Sequence, residues 1–512
     1  MSGIGQTNVA HARYTGRMDP ELRYAAMAGR DERFDGRFFV AVTSTRIYCR
    51  PSCPVPPPMR KNVRFYPTAE AAEAAGFRAC RRCRPEASPD SPDWDIRADL
   101  VGRALRLIAE GVVDAEGVPG LAQRLATGQR QLDRAFVREL GIGPLAVARS
   151  RRARLAKQLL EQTELRSADV AFAAGFSSVR AYNATMRDVF HATPREIRAR
   201  RRRADVAAGD GALTLRLTYR PPFAAEALFG FLGDRAIPGV ETFDGSTLRR
   251  SVRTRDGGAA LIGLRAEADR AAVRLEVSLG EPTELAGVVQ AARRLLDLDA
   301  DPGTIDAWLE RDPALRRRVR AQPGLRLPGA IDGFELAVRA VLGQQISVRG
   351  ARTIAGRLVE RAGTPVAADP RPDGITHLFP TAEQVASASL DGLGLTTRRA
   401  ATLRQLAELV AGGDLDLSGS GDPEVALDKL LAVPGVGRWT AAYVAMRALR
   451  DPDGFPAADL GIRQGMRVLG LPDTAAAIEA RAEGWRPWRG YAAMHLWRVE
   501  AADERSPHRP VR

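Results

Sequence analysis

All four cysteines of this 512-residue chain fall between Cys49 and Cys83, as two close pairs. Three residues separate Cys49 from Cys53, two separate Cys80 from Cys83, and 26 lie between the pairs. That spacing suits one tetrahedral Cys₄ zinc site, which folds a short segment around itself. The first residues, MSGIGQTNVAHARYTGR, lack the apolar core of a signal peptide, and no apolar run is long enough to span a membrane. A cytoplasmic, bacterial-style protein is therefore expected. In that compartment a cysteine cluster points to a metal ahead of disulfides or unligated thiols.

Arg46, Tyr48, Arg50, Arg60, Lys61, Arg64, Phe65, Arg78, Arg81, Arg82 and Arg84 surround the pairs. A structural zinc ribbon with a basic surface is one reading of them. The wording RFDGRFFVAVTSTRIYCRPSC…NVRFYPTAEAAEAAGFRACRRCRPE resembles the N-terminal domain of the Ada response protein, over about Met18 to Glu86. The resemblance implies that a zinc-bound thiolate takes the methyl group of a DNA methylphosphotriester, and that the acceptor is Cys49. Four thiolates around Zn²⁺ carry a net charge of about −2, so the sulfur stays deprotonated and nucleophilic at neutral pH. Methylation removes one negative charge and so favours DNA binding. Arg46 stands where that family usually has a small residue.

With 76 Lys and Arg against 62 Asp and Glu, the net charge is +14, which fits a polyanion partner. The length suggests three or four domains. Residues 96–203 alone carry 21 Arg and Lys against 11 Asp and Glu, a net +10. Ile96–Ala109 has helical spacing, and Val118–Leu140 has the rhythm of a helix-turn-helix, with its turn near Thr127 and Gly128. After a long helix, about Pro144–Glu161, a second copy starts at Ala168 and turns at Ser177 and Ser178. The run GFSS, a basic aromatic-bearing helix and TPREIR resemble the AraC-type DNA-binding domain. Candidate groove residues are Gln129, Arg130, Gln131 and Arg134 in the first copy. In the second they are Ser178, Arg180, Asn183 and Arg187. Arg suits guanine and Asn adenine in the major groove, while pure phosphate contact remains the simpler alternative for each.

The small-residue stretch 204–212 reads as a linker. Strands are expected near Leu213–Tyr219, Val240–Phe243, Thr247–Arg255, Ala259–Leu264 and Ala272–Val277, with a helix near Phe223–Asp234. That order suggests an α+β unit over 213–290. LTYRPPF…LFGFLGDRAIPGVE resembles the N-terminal domain of AlkA glycosylases, and the resemblance brings Phe231 to the base pocket; otherwise Phe231 is a plain core residue.

From residue 291 the chain reads as helical with short loops. Leu430–Asp459 is its most informative stretch: a helix ending near Ala432, the turn Pro434-Gly435-Val436-Gly437, a helix from Arg438, then Asp459 in a Pro-containing loop. Gly435 and Gly437 remove Cβ atoms from a turn whose N–H groups, at a helix N-terminus, suit a phosphate. An ordinary turn and a helix-capping Asp459 are the bland alternative. LxxxPGVGxWTAxY followed by FPxxDLGIRQ resembles the helix-hairpin-helix glycosylase superfamily, in particular the AlkA type of 3-methyladenine glycosylase.

By that resemblance Asp459 stabilises an oxocarbenium-like sugar and aligns or deprotonates water. Trp439, Tyr443 and Trp497 wall the pocket of a flipped, cationic alkylated purine, held through cation–π attraction. Gln345 wedges into the duplex, flanked by Ser347 and Arg349, although GQQ also reads as a helix cap. Trp439 occupies the place of a Schiff-base Lys in bifunctional relatives, so an intact abasic site is the expected product. The carbonyls of Leu431, Val433 and Val436 are implied as a monovalent-cation site.

The expected fold is multidomain, mainly α with α+β parts. It comprises a small zinc-bound α/β domain (1–95), an all-α double helix-turn-helix domain (96–203), a TBP-like α+β domain (213–290) and an all-α helix-hairpin-helix domain (291–512). The expected function is alkylation repair and response, acting on double-stranded DNA, both alkylated and of a specific promoter sequence. RNA polymerase is a further expected partner, with no membrane. The chain is expected as a nucleoid-associated monomer. The rival readings are a regulator with an inactive glycosylase half, and a glycosylase for mismatched or oxidised bases.

Overall fold

A computed structural model describes residues 20–28, 38–51, 53, 55–80, 82–83, 85, 100–201, 213–366, 374–419 and 423–504. The expected linker 204–212 and the basic residues Arg81 and Arg84 lie outside the described residues. The chain divides into two compact units, Met1–Ala208 and Gly209–Arg512. Among the described residues no helix is long and apolar enough to cross a membrane.

In the first unit, strands β1 (Phe39–Val42), β2 (Ile47–Cys49), β3 (Val63–Tyr66) and β4 (Arg78–Ala79) form one sheet in the order β3-β1-β2-β4. β1 runs antiparallel to β2 and β3, and β2 parallel to β4. The β2–β4 register sets Ile47 against Arg78 and Tyr48 against Ala79. Just past that pair the Cys80 N–H donates to the Tyr48 carbonyl at 2.9 Å, next to Cys49 in sequence. A helix at Ala69–Ala74 is capped by Thr68, whose hydroxyl accepts the Ala71 N–H at 3.2 Å.

The helical remainder of this unit repeats itself with an offset of 50 residues. Helices Val112–Arg124 and Gln129–Leu140 form the first helix-turn-helix; Ser167–Ala173 and Val179–Phe190 form the second. Leu132 and Phe136 in one copy, Tyr182 and Met186 in the other, take the same fully buried places. Both second helices end on a left-handed residue, Gly141 (φ +79°) and His191 (φ +49°), and both are followed by a helix starting on proline, at Pro144 and Pro194.

The second unit opens with an antiparallel sheet of β5 (Leu213–Thr218), β6 (Glu241–Phe243), β7 (Thr247–Arg253), β8 (Ala259–Glu267) and β9 (Ala272–Leu279), in the order β5-β9-β8-β7-β6. The helix Ala225–Gly233 lies between β5 and β6. Mainly helical chain follows, with one antiparallel two-stranded ribbon of Thr364–Pro365 against His377–Leu378, and the helix Leu285–Leu295 spans the boundary set at 290 from sequence. The main core includes Ile237 and Val240 from the sheet part with Leu342, Leu403, Leu430 and Val444 from the helices. A buried ion network ties the same two parts together. Arg250 on β7 reaches Glu241 at 2.7 Å and Glu335 at 2.8 Å, and Arg339 reaches Glu241 at 2.6 Å.

Candidate active site and metal centre

Asp459 caps the helix Leu460–Val468: its Oδ1 accepts the Ile462 N–H at 3.1 Å. It is more than a cap. Oδ1 also accepts the indole N–H of Trp497, and Oδ2 that of Trp439, both at 2.7 Å. The carboxylate and both indoles are half-buried and line a cleft of about 1780 Å³ shared with Phe231 and Tyr443. Trp439 stacks on Tyr443 at 5.4 Å and 15°, and Phe231 on Trp497 at 6.0 Å and 19°. None of the four rings lies in the fully buried core.

Two cations, not foreseen from sequence, share these walls. The Arg235 guanidinium lies 3.7 Å from the Phe231 ring centre. The Arg447 guanidinium lies 5.1 Å from Phe231 and 5.4 Å from Tyr443. Arg447 is fixed by the Pro328 and Gly329 carbonyls at 2.8 and 3.1 Å, and donates to the Tyr443 hydroxyl at 2.5 Å. Burial pushes that hydroxyl up, while Arg447 and Arg235 together bring it below its ordinary pKa. The signal was legible: each arginine stands four residues after its ring, the spacing that stacks side chains on one face of a helical turn. The walls are accordingly less electron-rich than four bare rings.

The hairpin follows Pro423–Ala432 and precedes Arg438–Arg447. Gly435 has φ +93°, and a Cβ there would stand 2.2 Å from the Thr402 hydroxyl. Gly437 is different: a Cβ would meet nothing within 4 Å. The space in front of Gly437 is open. Gln344 donates to the Gly435 carbonyl at 3.0 Å and to Thr440 at 2.9 Å, joining the turn to the GQQ break. Its neighbour Gln345 is exposed and left-handed, φ +56°. A strained non-glycine residue held at a cleft rim is a common mark of function. Ser347 caps the next helix, accepting the Gly350 N–H at 3.1 Å, and Arg349 is exposed. Of the three carbonyls implied for a cation, that of Val433 accepts the Val436 N–H at 2.9 Å.

In the first unit the Sγ atoms of Cys49, Cys53, Cys80 and Cys83 lie within 4.8 Å of one another, and all four residues are buried. Four soft donors at that spacing fit one tetrahedral Zn²⁺. Crowding by the other thiols, Cys53 first, raises the Cys49 thiol, and the hydrogen bond from Cys49 lowers Cys80. Protons shared among clustered sulfurs are what a dication replaces. Arg46, left-handed at φ +53°, turns its guanidinium over Phe77 at 5.4 Å.

Gln129, Arg130, Gln131 and Arg134 are exposed on the helix Gln129–Leu140. Ser178, Arg180 and Arg187 are exposed on or at the start of Val179–Phe190, and Asn183 is half-exposed. Ser178 also caps that helix, accepting the Ala181 N–H at 3.2 Å.

Four family models match in succession: "Metal binding domain of Ada" over 22–86, "Helix-turn-helix domain" over 121–200, "AlkA N-terminal domain" over 214–332, and "HhH-GPD superfamily base excision DNA repair protein" over 338–490. The chain is 47% identical over 481 residues to the "Probable bifunctional transcriptional activator/DNA repair enzyme AlkA" of Mycobacterium tuberculosis, covering 94% of this chain and 96% of the relative. It belongs to that AlkA-type bifunctional family. Its second unit is also similar to "DNA-3-methyladenine glycosylase 2" of Escherichia coli, 36% identical over 56% of this chain and 96% of the relative. The "3-methyladenine dna-glycosylase from Archaeoglobus fulgidus" shares the fold at TM-score 0.50 and 24% identity, over 56% of this chain and 98% of that one. Within this family frame, the Cys₄ cluster falls inside the Ada metal-binding match, and Trp439, Tyr443 and Asp459 inside the HhH-GPD match. The AlkA N-terminal match runs 42 residues beyond the boundary set at 290.

Proposed function

We propose that this AlkA-type chain excises alkylated purines of the 3-methyladenine type from double-stranded DNA, and that it accepts a methyl group from DNA methylphosphotriesters on Cys49. The observation that carries the excision is Asp459 at an aromatic cleft beside a glycine hairpin, held by two indole N–H groups. A carboxylate offers about four lone-pair sites. Two on Oδ1 and one on Oδ2 are taken. The remaining site on Oδ2 serves the reacting sugar or its water. As the C1′–N bond breaks, its electron pair leaves with the base; Asp459 stabilises the cationic sugar, and water adds at C1′ and loses a proton. Gly435, Gly437 and the hairpin N–H groups hold the backbone, Gln345 fills the gap left by the flipped base, and Phe231, Trp439, Tyr443 and Trp497 wall it.

A single lysine, Lys429, occurs after residue 208, and it donates to the Asp414 carbonyl; no lysine lines the cleft. That supports hydrolysis without a Schiff base, so the product is an intact abasic strand.

At the metal centre, bound Zn²⁺ keeps the sulfurs deprotonated. The Cys49 Sγ–CH₃ bond forms as the methyl–oxygen bond of the triester breaks, and the electron pair stays on the phosphate as a diester anion. Each chain does this once. Arg130, Arg134, Arg180, Asn183 and Arg187 read or grip a promoter, with RNA polymerase as the downstream partner of a monomeric, cytoplasmic, nucleoid-associated protein.

The test is purified zinc-loaded protein on methylated duplex DNA. Abasic sites that become strand breaks only after alkali are expected; immediate breaks, or none after alkali, contradict the reading. For the sensor, Cys49→Ser is expected to abolish stoichiometric methyl uptake, and uptake persisting at another cysteine contradicts the choice of Cys49.

A further inference from the structure

We infer, resting on the glycosylase reading above, that Gln344 is a positioning residue: it locks the loop that enters the duplex at Gln345 to the hairpin that grips the backbone. Seizing the strand at the hairpin then fixes where Gln345 inserts.

Residues 345–349 form an exposed run at the cleft, and the half-buried Gln344 anchors it. The Gln344 amide nitrogen donates to the Gly435 carbonyl at 3.0 Å and to the Thr440 hydroxyl at 2.9 Å. A carbonyl only accepts, so it is the nitrogen that faces Gly435. Gly435 belongs to the hairpin turn. Thr440 is a buried residue of the helix Arg438–Arg447, which also carries Trp439, the donor to Asp459. The backbone of Gln344 is held as well: its carbonyl accepts from the Arg399 guanidinium at 2.6 Å. Arg399 lies on the helix Thr397–Ala411, whose Thr402 hydroxyl meets the Pro434 carbonyl at 2.8 Å. One helix therefore ties down both the turn and the peptide leading into Gln345. Gln345 itself stands at φ +56°, a conformation that a non-glycine residue keeps only where its surroundings impose it. On its far side Ser347 is fastened by capping the next helix. Holding the loop in place beforehand spares the ordering cost that a free loop meets on binding.

A double-mutant cycle on base release tests this, with the full zinc-loaded chain in single turnover on methylated duplex DNA. Gln344→Met keeps the length and removes both donors. With Gln345 intact it is expected to slow base release about tenfold. In a Gln345→Ala background the same change is expected to cost less than about twofold. A 2-aminopurine placed beside the lesion brightens as its stack opens, and Gln344→Met is expected to diminish that rise only while Gln345 is present. A tenfold fall in both backgrounds overturns the inference, because Gln344 then serves the fold of the hairpin alone. So does an unchanged rate with Gln345 intact. Arg399→Met releases the Gln344 carbonyl without touching a hairpin carbonyl, and it decides the matter if Gln344→Met lowers the melting temperature. It is expected to show the same dependence on Gln345, and independent losses overturn the inference. If the wild-type chain releases no base, the glycosylase reading itself fails and takes the inference with it.

Discussion

At the residue scale the decisive arrangement is Asp459 between two indoles. Trp439 and Trp497 do two things at once: they wall the cleft and they donate to the carboxylate that faces it. Trp439→Phe keeps the wall and removes the donor on Oδ2. A hydrogen bond to a charged group contributes about 1.5–3 kcal/mol, so base release is expected to slow roughly ten- to a hundredfold in single turnover. An unchanged rate means that the indole acts as a wall alone. Gln345 makes the opposite bargain with the backbone. Left-handed strain at a non-glycine residue costs about 1–3 kcal/mol, so Gln345→Gly is expected to hold or raise the melting temperature while slowing base release. A variant that loses both stability and activity shows that the residue is structural. Much at this scale was readable in the chain: the cysteine pairs, Asp459 and the aromatic set follow from spacing and resemblance. The indole–carboxylate bonds were not. Trp439 is 20 residues from Asp459 and Trp497 is 38 away. Only tertiary folding fixes the direction of an N–H vector over such separations.

At the scale of elements, the hairpin turn has an internal reason and an external one. Gly435→Ala sets a Cβ against Thr402 and forces a left-handed alanine, a loss of at least about 1 kcal/mol by thermal or denaturant unfolding. The helix Ala69–Ala74 plays a similar part for the metal centre. Glu73 accepts from the Tyr48 hydroxyl and from Ser150 of the helix Pro144–Gln162, both at 2.7 Å, and Glu70 pairs with Arg154 of that helix. Tyr48 is the neighbour of Cys49, so one carboxylate joins the sulfur-bearing strand to the helix between the two helix-turn-helix copies. Burial pushes Arg154 down to about 10. Glu70→Ala removes the carboxylate that pairs with this buried cation, and a loss of about 3 kcal/mol in the first unit is expected on chemical denaturation.

The second unit carries a comparable network around Glu335. Burial alone would raise this carboxyl, but Arg250 and Arg339 hold it down at about 2. A depressed acid contributes stability that is complete above its unfolded pKa. Acid titration should therefore weaken the second unit progressively as pH falls from about 4.5 towards 2, and Glu335→Gln should flatten that dependence. Strand and helix positions in this unit were legible because apolar alternation and helical spacing dominate there. The links that join sheet to helix in that network were not, since Arg250–Glu335 spans 85 residues and Arg339–Glu241 spans 98.

At the scale of the whole molecule, the chain joins chemistry to sensing without sharing residues between them. All cysteines lie in the first unit and the entire cleft lies in the second. Stripping zinc with a chelator is therefore expected to abolish methyl uptake and to leave base release by the second unit intact; loss of both places the metal in the excision machinery. The domain order was legible from composition and motif. The boundary near 290 was not, because the helix Leu285–Leu295 runs straight across it without a composition shift. The most direct test of the account compares wild type with Asp459→Asn on methylated duplex DNA, counting abasic sites by alkaline cleavage. The account predicts a loss of about a hundredfold or more in the variant, with DNA binding retained. Equal abasic-site yield from the two proteins would contradict it.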